Sequence, residues 1–212
     1  MEKATREFFD KRGPIVVKNL RKHHFEAYYC ATKAEALEQV LALMPAGSTV
    51  GWGGAISAAQ VGVQEAVHAG DYKVIDRDQF SDPAEKLRCM RECFNADFFI
   101  TGANAISLDG QMVNIDGNGN RVGMIVYGPK NIIVVAGMNK VCATVEDAVK
   151  RAQTVAAPMN QQRFGLPNPC TCTGVCADCL SETSICNQIL ITRHCKPAGR
   201  IKFVLVGEEL GF

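Results

Sequence analysis

Two stretches of this chain concentrate residue types that do chemistry. The first is the polar, glycine-rich loop Asp116–Arg121, DGNGNR, inside the longer segment Thr101–Gly137. Asp116 supplies a carboxylate, Asn118 and Asn120 supply amides, and Arg121 supplies a cation, while Gly117 and Gly119 leave room for backbone to approach a ligand. The second is the cysteine segment Pro167–Cys195, which contains Cys170, Cys172, Cys176, Cys179, Cys186 and Cys195. Its centre, Cys176-Ala-Asp-Cys179, is a C-x2-C knuckle whose two thiolates can grip one tetrahedral ion. With Cys170 and Cys186 the set reaches four sulfurs, and Cys172 and Cys195 are alternates. Four thiolates suit zinc or an iron–sulfur cluster, because soft sulfur disfavours carboxylate-preferring metals. The other reading is free or oxidisable thiols. A thioredoxin-type redox pair fits poorly, since that C-x-x-C follows a strand and opens a helix, whereas this one sits where periodicity fails.

The elements around these stretches alternate as β–α units. Asp97–Gly102 reads as an apolar strand leading through a short hairpin, SLDGQMVN, into the Asp116 loop, and Asn131–Ala136 is a nearly all-apolar strand, as an interior parallel strand should be. Loops leaving the carboxyl ends of such strands are where α/β proteins hold ligands, so the Asp116 loop is either a ligand site or a solvated turn. Asn139 and Lys140 follow the next strand and face the same expected crevice. Upstream, the strand Ser48–Trp52 turns through Gly53 and Gly54 into a helix over about 56–69, with Ser57 in its first turn. A strand, a glycine turn and a helix N-terminus together favour phosphate or carboxylate, although G-W-G-G-A-I-S matches neither the dinucleotide fingerprint nor a Walker A loop. Tight strand-to-helix packing accounts for the glycines equally well.

The remaining segments complete an α/β domain. Residues 1–24 read as a helical segment in two pieces, interrupted at Gly13-Pro14, and 25–212 as one α/β domain that includes cysteine segment 167–195. The expected architecture is a mostly parallel sheet flanked by helices. A chain of 212 residues with 47% hydrophobic and 21% charged residues builds one sizeable core, and a net charge of +1 gives no footprint for nucleic acid or a membrane surface. MEKATREFFDKRG lacks the apolar stretch of a signal peptide, so a cytoplasmic location is expected, where ten cysteines point away from a disulfide framework. The N-terminal helix can pack on its own domain or across a homo-oligomer contact.

The motifs V-G-W-G-G at Val50–Gly54, T-G-A-N-A-I-S-x-D-G at Thr101–Gly110, V-N-I-D-G-N-G-N-R-V at Val113–Val122, Y-G-P-K, V-A-G-x-N-K at Val135–Lys140, C-x5-C-x2-C and the closing V-G-E-E-L-G-F together resemble the LUD-domain family, named for lactate utilisation proteins. The resemblance covers nearly the whole chain. It implies a fold similar to the ribose-5-phosphate isomerase, glucosamine-6-phosphate deaminase and coenzyme A transferase superfamily. It also implies a place in organic-acid metabolism, with a small anionic metabolite as ligand and, in some members, iron–sulfur oxidoreductase subunits as partners. In the sugar-phosphate isomerases the corresponding G-A-D segment supplies a proton-shuttling carboxylate. Here Gly102-Ala103-Asn104 has an amide, which cannot act as a general base near neutral pH. The loop lysine of those isomerases is also missing from Val113–Asn118. By this comparison Asp116 is the candidate catalytic carboxylate, Arg121 and Lys140 would hold an anion, and Asn104 would hydrogen-bond it.

Overall fold

The computed structural model describes residues 1–212. A six-stranded parallel sheet runs through its centre in the order β1 (Glu26–Cys30), β10 (Ile201–Val206), β7 (Asn131–Gly137), β4 (Phe98–Thr101), β2 (Thr49–Trp52) and β3 (Lys73–Ile75). The burial of β7 on both faces explains its sequence. Ile132, Val134 and Ala136 join one apolar cluster with Phe99, Phe203 and Leu205, while Ile133 and Val135 join the other with Val50, Trp52 and Val204. A strand covered on both faces has no polar side, so its text is continuous Ile, Val and Ala.

The first face is covered by α1 (Lys3–Lys22), α5 (Pro83–Glu92) and α6 (Asn120–Tyr127). The second carries α2 (Lys33–Ala42), α3 (Ile56–Val61) and α4 (Val63–Ala69), the last two separated at Gly62 where one continuous helix was expected. The N-terminal segment also differs from expectation, because α1 is a single helix that passes through Pro14. An interior proline costs about 3 kcal/mol. Burial of Phe9, Val16, Val17 and Leu20 in the sheet's own core offsets that cost and docks α1 on its own domain.

A second, four-stranded sheet takes the order β8 (Val141–Cys142), β5 (Ala105–Ser107), β6 (Met112–Asp116) and β9 (Gln188–Thr192). The expected hairpin is β5–β6, and β6 pairs antiparallel with β9, so the end of the cysteine segment is tied to the Asp116 strand with Asp116 opposite Gln188. Beneath this sheet lies α7 (Val145–Arg151), opened by a Thr144–Asp147 capping box, then a π-helical turn at Ala152–Ala156 and α8 (Ala157–Phe164). The short α9 (Pro169–Thr173) follows. No helix is long and apolar enough to cross a membrane.

Candidate functional site

Because the main sheet is parallel throughout, the loops after β2, β4 and β7 all emerge at one edge. They meet the Asp116 loop there in a cleft of about 410 Å³. Gly54, Ser57, Asn104, Asp116, Asn118, Arg121 and Lys140 all line it. Gly53 and Gly119, the other two expected ligand residues, do not. A side chain at Gly53 would press on the Phe99 ring, and Gly119, at φ +75°, is the N-cap of α6.

Asp116 is engaged in local structure. One carboxylate oxygen accepts from the Asn118 N–H at 3.2 Å, and the other accepts from the N–H groups of Arg121 at 2.9 Å and Val122 at 3.1 Å. It therefore caps α6 from outside, where Gly119 has no side chain to do so. Arg121 reaches back under the loop. Its guanidinium donates to the Asn104 Oδ1 at 2.8 Å and to the Ile115 carbonyl, and lies 4.0 Å from Asp116. Asn104 Oδ1 also accepts the Ile115 N–H, so the amide links the two strand ends. Burial lowers the pKa of Arg121, and the Asp116 charge opposes that effect.

Lys140 ends the turn after β7 and is 5% exposed. Its amine donates to Ser57 Oγ at 3.1 Å and to the Ala103 carbonyl at 3.0 Å, and no carboxylate is paired with it. Burial, followed by the charges of Arg151 and Arg121, pushes its pKa down to about 7. The Ser57 hydroxyl donates a hydrogen bond to the Leu210 carbonyl at 3.4 Å rather than capping α3. The tail beyond β10 thus lies along the same edge. Gly211 is so close that a side chain there would meet Ser57 Oγ and Lys140 Nζ, and Phe212 joins the cleft wall.

The preferred cysteines also come together. Cys170, Cys176, Cys179 and Cys186 line a neighbouring cavity of about 240 Å³, and Ser184 and Ile185 form a wall common to both spaces. Burial raises the thiol pKa of Cys186 to about 11 and also raises that of Cys170, with the other thiols of the group adding to both shifts. No three His, Cys, Asp or Glu side chains are arranged to hold a metal ion. The alternates lie elsewhere: Cys172 is exposed and outside the cavity lining. Cys195 is a core thiol, accepting the Ile201 N–H and donating to the Pro197 carbonyl.

A family model for the LUD domain matches residues 14–206. The chain belongs to the LUD-domain family. Among solved structures, this LUD-domain protein is similar to a DUF162 family protein from Deinococcus radiodurans, with 14% identity and a TM-score of 0.51 over 95% of this chain and 97% of that one. At that identity the likeness is one of fold. Ribose-5-phosphate isomerase A from Methanocaldococcus jannaschii aligns over 52% of this chain and 53% of its own, with 15% identity and a TM-score of 0.35. The Neisseria gonorrhoeae enzyme aligns over 53% and 54%, with 16% identity and a TM-score of 0.35. No curated protein matches the LUD-domain chain.

Several cleft residues of the LUD domain carry no sequence signal of their own. Arg77 and Arg163 stand on its wall, as does Glu182 from the cysteine segment. Arg151, outside the cleft lining, donates to the Asn104 carbonyl at 2.6 Å, although in the sequence it is only a basic residue in the last turn of a helix.

Proposed function

We propose that this protein binds a small organic anion in the cleft at the sheet edge and serves organic-acid metabolism of the lactate type. The observation that carries this reading is the charge of the wall. Arg77, Arg121 and Arg163 face it against Asp116 and Glu182, and the Lys140 amine, buried with no anionic partner, adds a fourth positive charge when protonated. A buried ammonium without a counter-ion is costly, and an incoming carboxylate or phosphate supplies the missing charge. Asp116 is bound to three N–H groups, so its part here is to hold the loop and Arg121 in position. A thermal-shift panel of lactate, glycolate, pyruvate, larger dicarboxylates and sugar phosphates tests the reading. At a concentration of about 100 Kd the anion that fits stabilises the fold by about 2.7 kcal/mol, a rise of several degrees in Tm. A panel in which no anion shifts Tm ends the proposal.

A second reading concerns the neighbouring cavity, where Cys170, Cys176, Cys179 and Cys186 would hold zinc or an iron–sulfur cluster. It is supported by their convergence on one space from an irregular, largely exposed segment. The loop would have to draw the four sulfurs inward, since they are not at ligating spacing as they stand. A cluster there would suit an electron-transfer or scaffold subunit working with iron–sulfur oxidoreductase partners, and zinc would be structural. Protein purified without oxygen is expected to carry close to one zinc ion or one iron–sulfur cluster per chain, lost in a Cys176→Ser, Cys179→Ser variant. Zinc without colour indicates the structural form, iron with sulfide and visible absorbance indicates the cluster, and neither metal sinks the reading.

A further inference from the structure

The surroundings of the Lys140 amine are matched to its neutral form. An uncharged amine has two protons and one lone pair, and Lys140 Nζ has two neutral acceptors, Ser57 Oγ at 3.1 Å and the Ala103 carbonyl at 3.0 Å. An ammonium would have a third proton with no partner, in a position 5% exposed and without an ion pair. The charged groups acting on it from the adjoining elements are Arg121 on α6 and Arg151 on α7, both of which disfavour a further positive charge. Asp116, a carboxylate of the cleft wall, is turned to the α6 backbone. Burial and these two arginines leave Lys140 close to half neutral at pH 7, where an ordinary surface lysine is almost wholly charged. Desolvation beside other cations is how an amine becomes nucleophilic near neutral pH.

We propose that Lys140 is a nucleophilic amine that condenses with a small aldehyde or ketone bearing a carboxylate or phosphate, a 2-oxo acid being the simplest case. The proposal rests on the anion reading of the cleft, because the wall cations must hold the anionic group while the carbonyl carbon meets Nζ. The lone pair of Nζ attacks that carbon. The carbonyl oxygen then leaves as water, taking both amine protons, and a carbon–nitrogen double bond joins the ligand to Lys140. No oxidant or reductant is consumed. Ser57, hydrogen-bonded to Nζ and to the Leu210 carbonyl, is placed to relay a proton during the loss of water.

The test is reductive trapping on the full chain. Incubation with pyruvate and sodium cyanoborohydride near pH 7, followed by peptide mass spectrometry, is expected to place the reduced adduct on Lys140 at about ten times the yield of any other lysine. Yield at Lys140 should rise with pH through about 7, and the neutral ketone hydroxyacetone should label it about tenfold less. Lys140→Met, which fills similar volume without the amine, should fold and show no adduct at that position. Adduct spread evenly over surface lysines, equal labelling by hydroxyacetone, or no adduct would overturn the proposal. Lactate, which has no ketone or aldehyde carbonyl to condense, separates the two readings. A Tm shift by lactate or pyruvate without trapping removes the amine chemistry and leaves the anion site, whereas neither shift nor trapping removes both.

Discussion

Asp116→Ala is expected to lower stability by about 3 kcal/mol, a fall of roughly 6–12 °C in Tm for a domain of this size. Three backbone N–H groups at the start of α6 lose their shared acceptor, and the N-cap itself, Gly119, has no side chain to replace it. A lost helix cap alone costs about 1 kcal/mol. The larger part comes from Arg121, whose side chain is only 16% exposed and would keep its charge with the nearest carboxylate gone. Asp116→Asn retains one acceptor oxygen at the same place and should lose about half as much. Urea or thermal unfolding of the two variants checks the order. An alanine variant as stable as the parent would show that the carboxylate does not hold this loop. Anion stabilisation should fall in both variants, because Asn118 and Arg121 move when α6 frays.

The general position of the site was legible in the sequence for a topological reason. In a parallel sheet the carboxyl ends of all strands lie on one edge, so Ser57, Asn104 and Lys140, each shortly after a recognisable strand, had to come together. The roles within the site were less legible. Asp116 looks like a catalytic carboxylate until its partners are known, and those are backbone N–H groups that any sequence would provide. Lys140 looks like a loop lysine, and its burial depends on Ser57, Ala103 and the Gly211 tail, which are remote in the chain. Of the mixed second sheet the β5–β6 hairpin was legible, but the pairings of β8 and β9 were not, because these strands are two and five residues long, too short for a strand period to declare a partner. The cysteine set followed a similar pattern. Spacing picked out the four that share a cavity, but Cys195 is distinguished from them only by its packing between Pro197 and Ile201. At Pro14 a local rule gave way to tertiary burial, which a helix signal alone does not weigh.

Lys140→Met should do two opposite things, and together they separate a binding lysine from a structural one. Methionine fills similar volume without the charge, so the cost of burying an ammonium disappears. Lysine here has its folded pKa depressed to about 7 from 10.5. Between those values the unfolded chain holds a proton that the folded chain has released, so the parent's stability rises with pH across the window and is lost as pH falls through 7. Methionine has no such dependence. The variant should therefore gain most below pH 7, and the part of the gain that comes from removing the charge should vanish as pH approaches 10.5, where only the loss of the hydrogen bonds remains. Against the gain stands the loss of two hydrogen bonds, to Ser57 and Ala103, leaving a net stabilisation on the order of 2 kcal/mol at pH 6, or about 4–8 °C in Tm. The same substitution should abolish stabilisation by the anion that fits the parent, since it removes the one buried amine of the cleft that can take up a proton to pair with it. Thermal melts of both proteins from pH 6 to 10, with and without that anion, measure both effects. A variant less stable than the parent at pH 6, with its anion response intact, would mean that Lys140 is a structural donor whose charge is balanced elsewhere. A variant more stable at low pH and unresponsive to anions would mean that folding stability has been given up at Lys140 to keep a reactive group in the cleft.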